Sequence, residues 1–357
     1  MPYLVRENLY IGNIQDSAEI LQNNSSQEGI THILSLLSSE SINFFSEWKS
    51  EIVIPVKEIR KQYFAGSESD DKKEKLLCLV EYAGKELKLV RMAVPLRDME
   101  RENLLDYLDV CLDFIDSSRK IGGVLVHCFA GVSRSASIIT AYLMKTEQLS
   151  VEDALQSLKE SCEFVCPNDG FLDQLKMFED MGFKVDHTSS VYKRFHLQVL
   201  GDSYNRGERI DSSQFGVDPG LPSATIDSSS ESSVSPKEST KPNTAYRCKK
   251  CRRVVAVKDN VVDHNPGEGE GCFKWQKRSS GNFFNRYDDE PECSSIFVEP
   301  LRWMKTVEEG ALEGKLFCPH CEARLGYFNW SGIQCSCGSW VTPAFQLHQS
   351  RLDISTL

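Results

Sequence analysis

Alternation and run length divide the chain before any motif is considered. In the first part, short apolar runs ending at glycine or proline alternate with longer segments of helical spacing. Leu9-Tyr10-Ile11-Gly12 reads as a short strand closed by a turn, and Asp16-Ser17-Ala18-Glu19 opens a helix. Gly29-Ile30-Thr31-His32-Ile33-Leu34-Ser35-Leu36-Leu37 is a second strand, and Glu51-Ile52-Val53-Ile54 is strand-like. Leu87-Lys88-Leu89-Val90-Arg91-Met92-Ala93-Val94 alternates as another. Ile121-Gly122-Gly123-Val124-Leu125-Val126 is apolar enough to be a buried strand. Helical spacing covers 104–117, 135–145, 150–161 and 169–181. This alternation predicts an α/β domain with a central, mainly parallel sheet flanked by helices and a site at the carboxyl ends of the strands. Residues 39–85 fit the pattern least; they include the polar loop Gly66-Ser67-Glu68-Ser69-Asp70-Asp71-Lys72-Lys73.

Periodicity then stops. From about 201 to 241 the chain is serine-rich and poor in apolar residues, as in Ser228-Ser229-Ser230-Glu231-Ser232-Ser233. Such a composition predicts a flexible linker; a phosphorylated regulatory segment at Ser235-Pro236 is the alternative. The division is therefore 1–186 for the α/β domain, 187–244 for the linker and 245–357 for a small, cysteine-rich, β-rich domain.

A chain of 357 residues is long enough for two domains. No uninterrupted apolar stretch approaches the length that spans a bilayer, so no membrane association is expected. The start, Met1-Pro2-Tyr3-Leu4-Val5-Arg6, lacks the apolar core of a secretory signal, and the expected location is nucleus and cytoplasm. Thiols are kept reduced there, so the 13 cysteines argue for metal or catalysis rather than disulfides. Residues 245–357 carry 15 Lys+Arg and 14 Asp+Glu, a net of +1; the whole chain is −11, so residues 1–244 carry −12. An acidic protein is a poor non-specific binder of nucleic acid, and sequence-specific DNA binding is not expected. Any RNA contact would use local patches such as Lys249-Lys250 with Arg252-Arg253.

Chemistry concentrates in His127-Cys128-Phe129-Ala130-Gly131-Val132-Ser133-Arg134-Ser135, between the last buried strand and the helix after it. A loop coiling into a helix start turns its N–H groups inward and binds a dianionic phosphate. The same donors favour a thiolate at Cys128, the form that attacks. Gly131 lets the phosphate approach the backbone, and the planar fork of Arg134 can hold two phosphoryl oxygens. His127 can hold the loop through its ring nitrogens, and Ser135 can donate to the sulfur when it leaves. The phosphate loop thus comprises His127, Phe129, Ala130, Gly131, Val132, Ser133 and Arg134 around Cys128. These donors supply the electrostatics, so no cofactor is expected for catalysis.

Eight cysteines crowd the last third. Cys318-Pro319-His320-Cys321 and Cys335-Ser336-Cys337 predict one closed tetrahedral zinc, with His320 pointing away. Cys248-Lys249-Lys250-Cys251 begins a second site whose two further ligands come from His264, Cys272 and Cys293, with His348 a more distant alternative. Both zinc ions would be structural. Trp303, Trp330, Trp340 and Phe345 read as core fillers, with a binding face the alternative for some of them.

The loop motif, Leu9-Tyr10-Ile11-Gly12-Asn13, Gly29-Ile30-Thr31-His32-Ile33-Leu34 and Pro167-Asn168-Asp169-Gly170-Phe171 together resemble a dual-specificity protein phosphatase domain over residues 1 to about 185. The cysteine-rich half, with Phe328-Asn329-Trp330-Ser331-Gly332 and Trp340-Val341-Thr342-Pro343-Ala344-Phe345-Gln346, is similar to the dual-specificity protein phosphatase 12 family. The resemblance implies hydrolysis of phosphotyrosine, phosphoserine and phosphothreonine in phosphoproteins through a cysteinyl-phosphate. No equivalent of the aromatic loop that deepens strict phosphotyrosine sites is evident. It also implies a general acid after the strand preceding the catalytic one; Asp98 fits best, with Glu100 and Glu102 as neighbours. Asn168 either braces the phosphate loop or caps the helix after it. Within the resemblance, His264 and Cys293 complete the second zinc site and Cys272 is a free thiol. The family further implies work on a pre-ribosomal particle in large-subunit maturation. The alternative function is therefore an assembly adaptor acting through the zinc domain, with catalysis dispensable.

Overall fold

The computed structural model describes residues 1–23, 29–63, 76–208, 210, 214–221, 244–264 and 293–356. They form two compact units, Met1–Val191 and Tyr192–Leu357.

The first unit runs β1 (Tyr3–Arg6), β2 (Leu9–Gly12), α1 (Ile14–Asn23), β3 (Ile30–Leu37), α2 (Asn43–Trp48), β4 (Val56–Tyr63), β5 (Leu76–Ala83), β6 (Leu89–Pro95), α3 (Leu105–Arg119), β7 (Gly123–His127), α4 (Arg134–Glu147), α5 (Val151–Ser161) and α6 (Asp169–Asp180). Its seven-stranded sheet has the order β1-β2-β7-β3-β6-β5-β4. The inner strands β2, β7, β3 and β6 are parallel, as expected. Both flanks turn back antiparallel, so the sheet as a whole is mixed. Burial explains the centre: Val124, Leu125 and Val126 are inaccessible on both faces, which a glycine-opened apolar run permits. Register then aligns the carboxyl ends. Gly12 and Ser35 pair with His127, and Leu37 pairs with Pro95, so four strand ends and their loops meet at one edge.

α4 is buried from Arg134 to Met144, including Ser135, Ser137 and Thr140. A helix so enclosed is held rigidly by its neighbours, and its first turn carries the site. Ser150 caps α5 by accepting the Asp153 N–H (3.1 Å). One expected strand is absent. Residues 52–55 form no ladder, although Ile52 and Ile54 are buried among Ile14, Leu21, Ile33 and Phe45. Their alternation reflects side-chain burial alone; pairing begins at Val56. The polar segment 66–73 lies outside the described residues.

The second unit contains α7 (Ser190–Asn205), β8 (Thr244–Cys248), β9 (Val254–Val257), β10 (Ser295–Phe297), α8 (Lys305–Glu308), β11 (Glu313–Phe317), β12 (Arg324–Asn329), β13 (Ile333–Gln334), β14 (Trp340–Val341), β15 (Ala344–His348) and β16 (Leu352–Thr356). The strands form sheets β16-β8-β9 and β10-β15-β12-β11 and the small pair β13-β14. This is the β-rich cysteine domain expected.

The linker expectation needs correction. Within 187–244, residues 190–205 form α7, and Leu197, Leu200, Ile210 and Phe215 join the second unit's core with Trp303, Leu316, Phe328 and Phe345. The stripe of Leu197, Leu200 and Tyr204 is amphipathic, so this helix could have been read from the sequence. The serine run 225–236 lies outside the described residues. Trp303, Trp330 and Phe345 are core, whereas Trp340 is 63 % exposed.

Candidate active site and metal centres

Cys128 follows β7 directly and is 1 % exposed. The loop after it is shaped from outside. The Phe129 carbonyl accepts the Ile14 N–H (3.1 Å), and the Val132 carbonyl accepts the Cys166 N–H (2.8 Å). With these carbonyls held outward, the Gly131 N–H points in and donates to the Cys128 sulfur (3.2 Å). Gly131 has φ +78°, and a Cβ there would lie 2.9 Å from the Gly12 carbonyl oxygen. Both conformation and space therefore require glycine. Ser135 places its hydroxyl 3.3 Å from the same sulfur.

Arg134 is braced rather than free. Its Nη1 donates to the Leu36 and Leu96 carbonyls (3.2 Å each), at the ends of β3 and β6. Its Nε makes no hydrogen bond and lies 3.6 Å from Asp98 Oδ2. Asp98 Oδ1 accepts from Ser133 Oγ (2.7 Å) and Asn168 Nδ2 (2.9 Å). Of the neighbouring carboxylates, Glu102 is turned to Arg97 (3.0 Å). Asn168 does both things considered for it. Its Oδ1 caps α6 through the Phe171 N–H (2.9 Å), while its own N–H donates to Ser133 Oγ (3.2 Å).

His127 is fully buried, and burial pushes its pKa down to about 3, with the charges of Arg91 and Arg134 acting in the same direction. The ring is neutral, so it supports the loop by hydrogen bonds and not by charge. Nδ1 meets the Cys128 carbonyl (3.1 Å), which only accepts; Nδ1 therefore carries the proton. Nε2 then accepts from Ser35 Oγ (2.7 Å), and Ser35 in turn accepts from Arg91 Nε (2.9 Å). Arg91 is wholly buried and pairs with Glu81 (2.6 Å). A chain of polar contacts thus runs from β5 to the carbonyl of Cys128. Ser35, Glu81 and Arg91 were missed in the sequence. An arginine and a glutamate within alternating strands look like solvent-facing residues, and only the pairing of β5 with β6, which sets Glu81 opposite Arg91, reveals them.

In the second unit the eight expected ligands converge, but in different sets. Cys248, Cys251, Cys318 and Cys321 form one group; His264, Cys293, Cys335 and Cys337 form the other. The expected partnership of Cys318 and Cys321 with Cys335 and Cys337 is incorrect, as is that of Cys248 and Cys251 with His264 and Cys293. The reason is local. In the first knuckle the Arg252 N–H donates to the Cys248 carbonyl (2.8 Å) and the Cys248 N–H to the Arg253 carbonyl (2.8 Å). The second repeats this, with Glu322 N–H to Cys318 (3.0 Å) and Cys318 N–H to Ala323 (2.9 Å). Arg252 and Glu322 both adopt left-handed φ, +65° and +56°. Two matching Cys-x-x-Cys turns face each other, whereas the tighter Cys335-Ser336-Cys337 turn meets His264 and Cys293. The matching spacings were the available signal.

Within each group all ligand atoms lie within 4.8 Å of one another. Cys248 to Cys321 and Cys251 to Cys318 are 3.6 Å, and Cys293 to His264 Nε2 is 3.5 Å. A tetrahedral zinc with thiolate ligands has sulfur–sulfur edges of about 3.8 Å, so the donor sets fit such an ion. Burial, reinforced by neighbouring thiols, pushes Cys318 and Cys293 up to about 12. The Ala323 N–H instead holds Cys321 down at about 7, and thiols gathered this closely ionise jointly only with a cation among them. His320 is exposed, His348 contacts Ser295 Oγ (3.2 Å) outside both groups, and Cys272 lies outside the described residues.

A buried cysteine ringed by inward donors, an arginine fork and a carboxylate at strand ends define a cysteine-dependent phosphatase, and comparison with known proteins agrees. The family described as "Dual specificity phosphatase, catalytic domain" matches residues 67–181. Human dual specificity protein phosphatase 12 is 41 % identical over 266 residues, covering 74 % of each chain. Tyrosine-protein phosphatase YVH1 of Saccharomyces cerevisiae is 34 % identical over 284 residues, covering 73 % of this chain and 76 % of that one. Among solved structures, the Yvh1 phosphatase domain from Chaetomium thermophilum is 24 % identical and covers 51 % of this chain and 95 % of that one, with a TM-score of 0.35. The chain belongs to the dual-specificity protein phosphatase 12 family. It is a dual-specificity protein phosphatase.

Proposed function

We propose that the chain hydrolyses phosphotyrosine, phosphoserine and phosphothreonine in proteins, with Cys128 as nucleophile. The ionised sulfur attacks phosphorus; the phosphorus–oxygen ester bond breaks, and Asp98 gives its proton to the departing oxygen. Loop N–H groups and Arg134 stabilise charge on the equatorial oxygens. Water then attacks the cysteinyl-phosphate, Asp98 accepts its proton, and the phosphorus–sulfur bond breaks as Ser135 donates to the leaving sulfur. The observation that supports this assignment most is the convergence of Gly131 N–H and Ser135 Oγ on one buried sulfur, beside an arginine with an unused Nε. The test is Cys128→Ser: turnover of 4-nitrophenyl phosphate is lost, and phosphoproteins are retained by the inert variant. Turnover that survives the substitution refutes the assignment.

The two ligand groups hold zinc in this reading, as structural ions with no open position. On the family resemblance of the cysteine-rich half, a pre-ribosomal particle is its partner, and the protein works in nucleus and cytoplasm. The exposed Trp340 beside the Cys335-Cys337 turn is available for such contact. Recovery of pre-ribosomal particles with the full chain, lost on Trp340→Ala with zinc content unchanged, tests this. No helix is long and apolar enough to cross a membrane among the described residues.

A further inference from the structure

We infer that α6 splints the loop carrying Asp98, and that Gly170 and Gln174 are positioning residues for proton transfer to the leaving group. The inference rests on the proposed role of Asp98 as general acid. Residues 96–104 have no regular secondary structure, yet three successive points of that loop are held by the first turns of one helix and its cap. At the first point Asn168, the cap of α6, donates to the Asp98 carboxylate. At the second, Gly170 sits against the Glu100 peptide. A Cβ there would fall 1.8 Å from the carbonyl oxygen and 2.4 Å from the carbonyl carbon of Glu100. Gly170 does not have a positive φ, so backbone conformation does not demand glycine. Glycine in a helix costs about 1 kcal/mol relative to alanine, and the space needed by the loop is the reason it stands here.

The third point is Gln174, one turn further along and 1 % exposed. Its Oε1 accepts the N–H groups of Leu104 (2.7 Å) and Leu105 (3.3 Å), at the start of α3. Its Nε2 donates to the carbonyls of Glu102 (2.9 Å) and Gly170 (3.2 Å). Both ends of one buried amide are thus used, and they tie the end of the acid loop to α6 and to the N-terminus of α3. A buried amide with every partner on backbone has few alternative positions, because any shift leaves polar groups unpaired. Asp98 is consequently held in place without a closing motion of its loop. Gln174 and Gly170 touch no reacting atom; they act through the backbone of residues 100–105.

The experiment compares phenyl phosphate with 4-nitrophenyl phosphate. The first needs protonation of its leaving oxygen; the second, a far better leaving group, needs it little. Asp98→Asn is the reference. Gly170→Ala and Gln174→Leu are expected to lower kcat/KM for phenyl phosphate by roughly tenfold or more, part of the 10²–10⁴ that a general acid contributes. Their turnover of 4-nitrophenyl phosphate should change by less than about threefold, since the cysteine and phosphate loop are untouched. Gln174→Glu keeps the acceptor for Leu104 and Leu105 and gives an intermediate loss. The two variants press on different points of the loop, so either one that keeps a cooperative thermal transition decides the matter. Equal loss on both substrates, or none on either, overturns the splint. If Asp98→Asn itself fails to discriminate between the substrates, the acid assignment falls instead, and the two failures are distinguishable.

Discussion

In the first unit Cys128 stands alone among nitrogen and oxygen donors, whereas in the second unit seven cysteines lie within reach of one another in two groups. The difference follows from what each unit has available to bury. The first closes a seven-stranded sheet with helices over it, and its apolar interior is sufficient to hold a strained loop in one shape. Among the described residues the second is built from strands of two to six residues, several of them joined by tight turns. Such a unit has few ladder bonds per strand, and its two ligand groups join turns that are far apart in sequence. The first unit surrounds its sulfur with hydrogen-bond donors; the second gathers sulfurs together.

Metal removal probes the contrast most strongly. Stripping the ions from the full chain should unfold the cysteine-rich unit, since a structural zinc contributes on the order of 10–16 kcal/mol in small zinc domains. Hydrolysis of 4-nitrophenyl phosphate should persist. Cobalt substitution sharpens the ligand sets: Cys248→Ser and Cys318→Ser should alter the same all-sulfur absorption bands, and Cys335→Ser those of the other site. Shared effects of Cys318→Ser and Cys335→Ser on one site would break the arrangement described.

Cys128→Ser is the converse. We expect turnover to fall by about 10⁴-fold or more, with zinc content unchanged when measured by metal analysis. A variant that loses zinc together with activity would mean the two roles of sulfur are not separable.

The buried ring of His127 gives the first unit a pH response of its own. Its folded pKa is pushed down to about 3 from an ordinary 6.5. The unfolded chain therefore binds a proton below about pH 6.5 that the folded unit refuses. Stability present above that value is lost progressively as pH falls toward 3, by on the order of 4–5 kcal/mol in all. Denaturant melts of the first unit across this window, compared with His127→Gln, should show a steeper decline for the unaltered chain. Parallel slopes would remove the buried neutral histidine from the account.

Arg91→Met alone should destabilise by about 3–5 kcal/mol because it leaves the Glu81 carboxylate buried without its partner. Adding Glu81→Met should recover much of that loss in equilibrium unfolding. The pair is thus tested for its effect on stability separately from any effect on catalysis. Smallest of the series, Ser135→Ala should slow release of the cysteinyl-phosphate by roughly 10²-fold, the lower end of the range for losing one donor at a developing charge. Rapid-quench kinetics would show the phospho-enzyme accumulating; a steady rate without a burst would give Ser135 no part in the second step.

How much of this was legible in the chain differs between the units. Hydrophobic spacing gave α3, α4, α5 and α6 to within a residue or two, and apolar run length gave β2, β3, β6 and β7. These elements bury a face whose periodicity is written directly into the chain. Residues 51–54 show the limit, because Ile52 and Ile54 alternate and are buried without joining a strand ladder. α7 shows the opposite error: the low complexity that follows it drew attention from an amphipathic stripe that the second unit's core covers.

The residues of the loop from His127 to Ser135 were legible in the sequence alone, since its parts are neighbours in the chain, although the N–H groups of Ile14 and Cys166 fix its shape from outside. Six of the eight clustered residues were likewise legible, because paired cysteines at knuckle spacing have few other uses, whereas His264 and Cys293 were singled out only through the family resemblance. Which four share an ion was not legible, nor was the line from Glu81 through Arg91 and Ser35 to His127. Those depend on strand order and on which turns face each other. Such contacts join residues from 10 to 92 positions apart, and nothing in a one-dimensional pattern encodes which of them become partners.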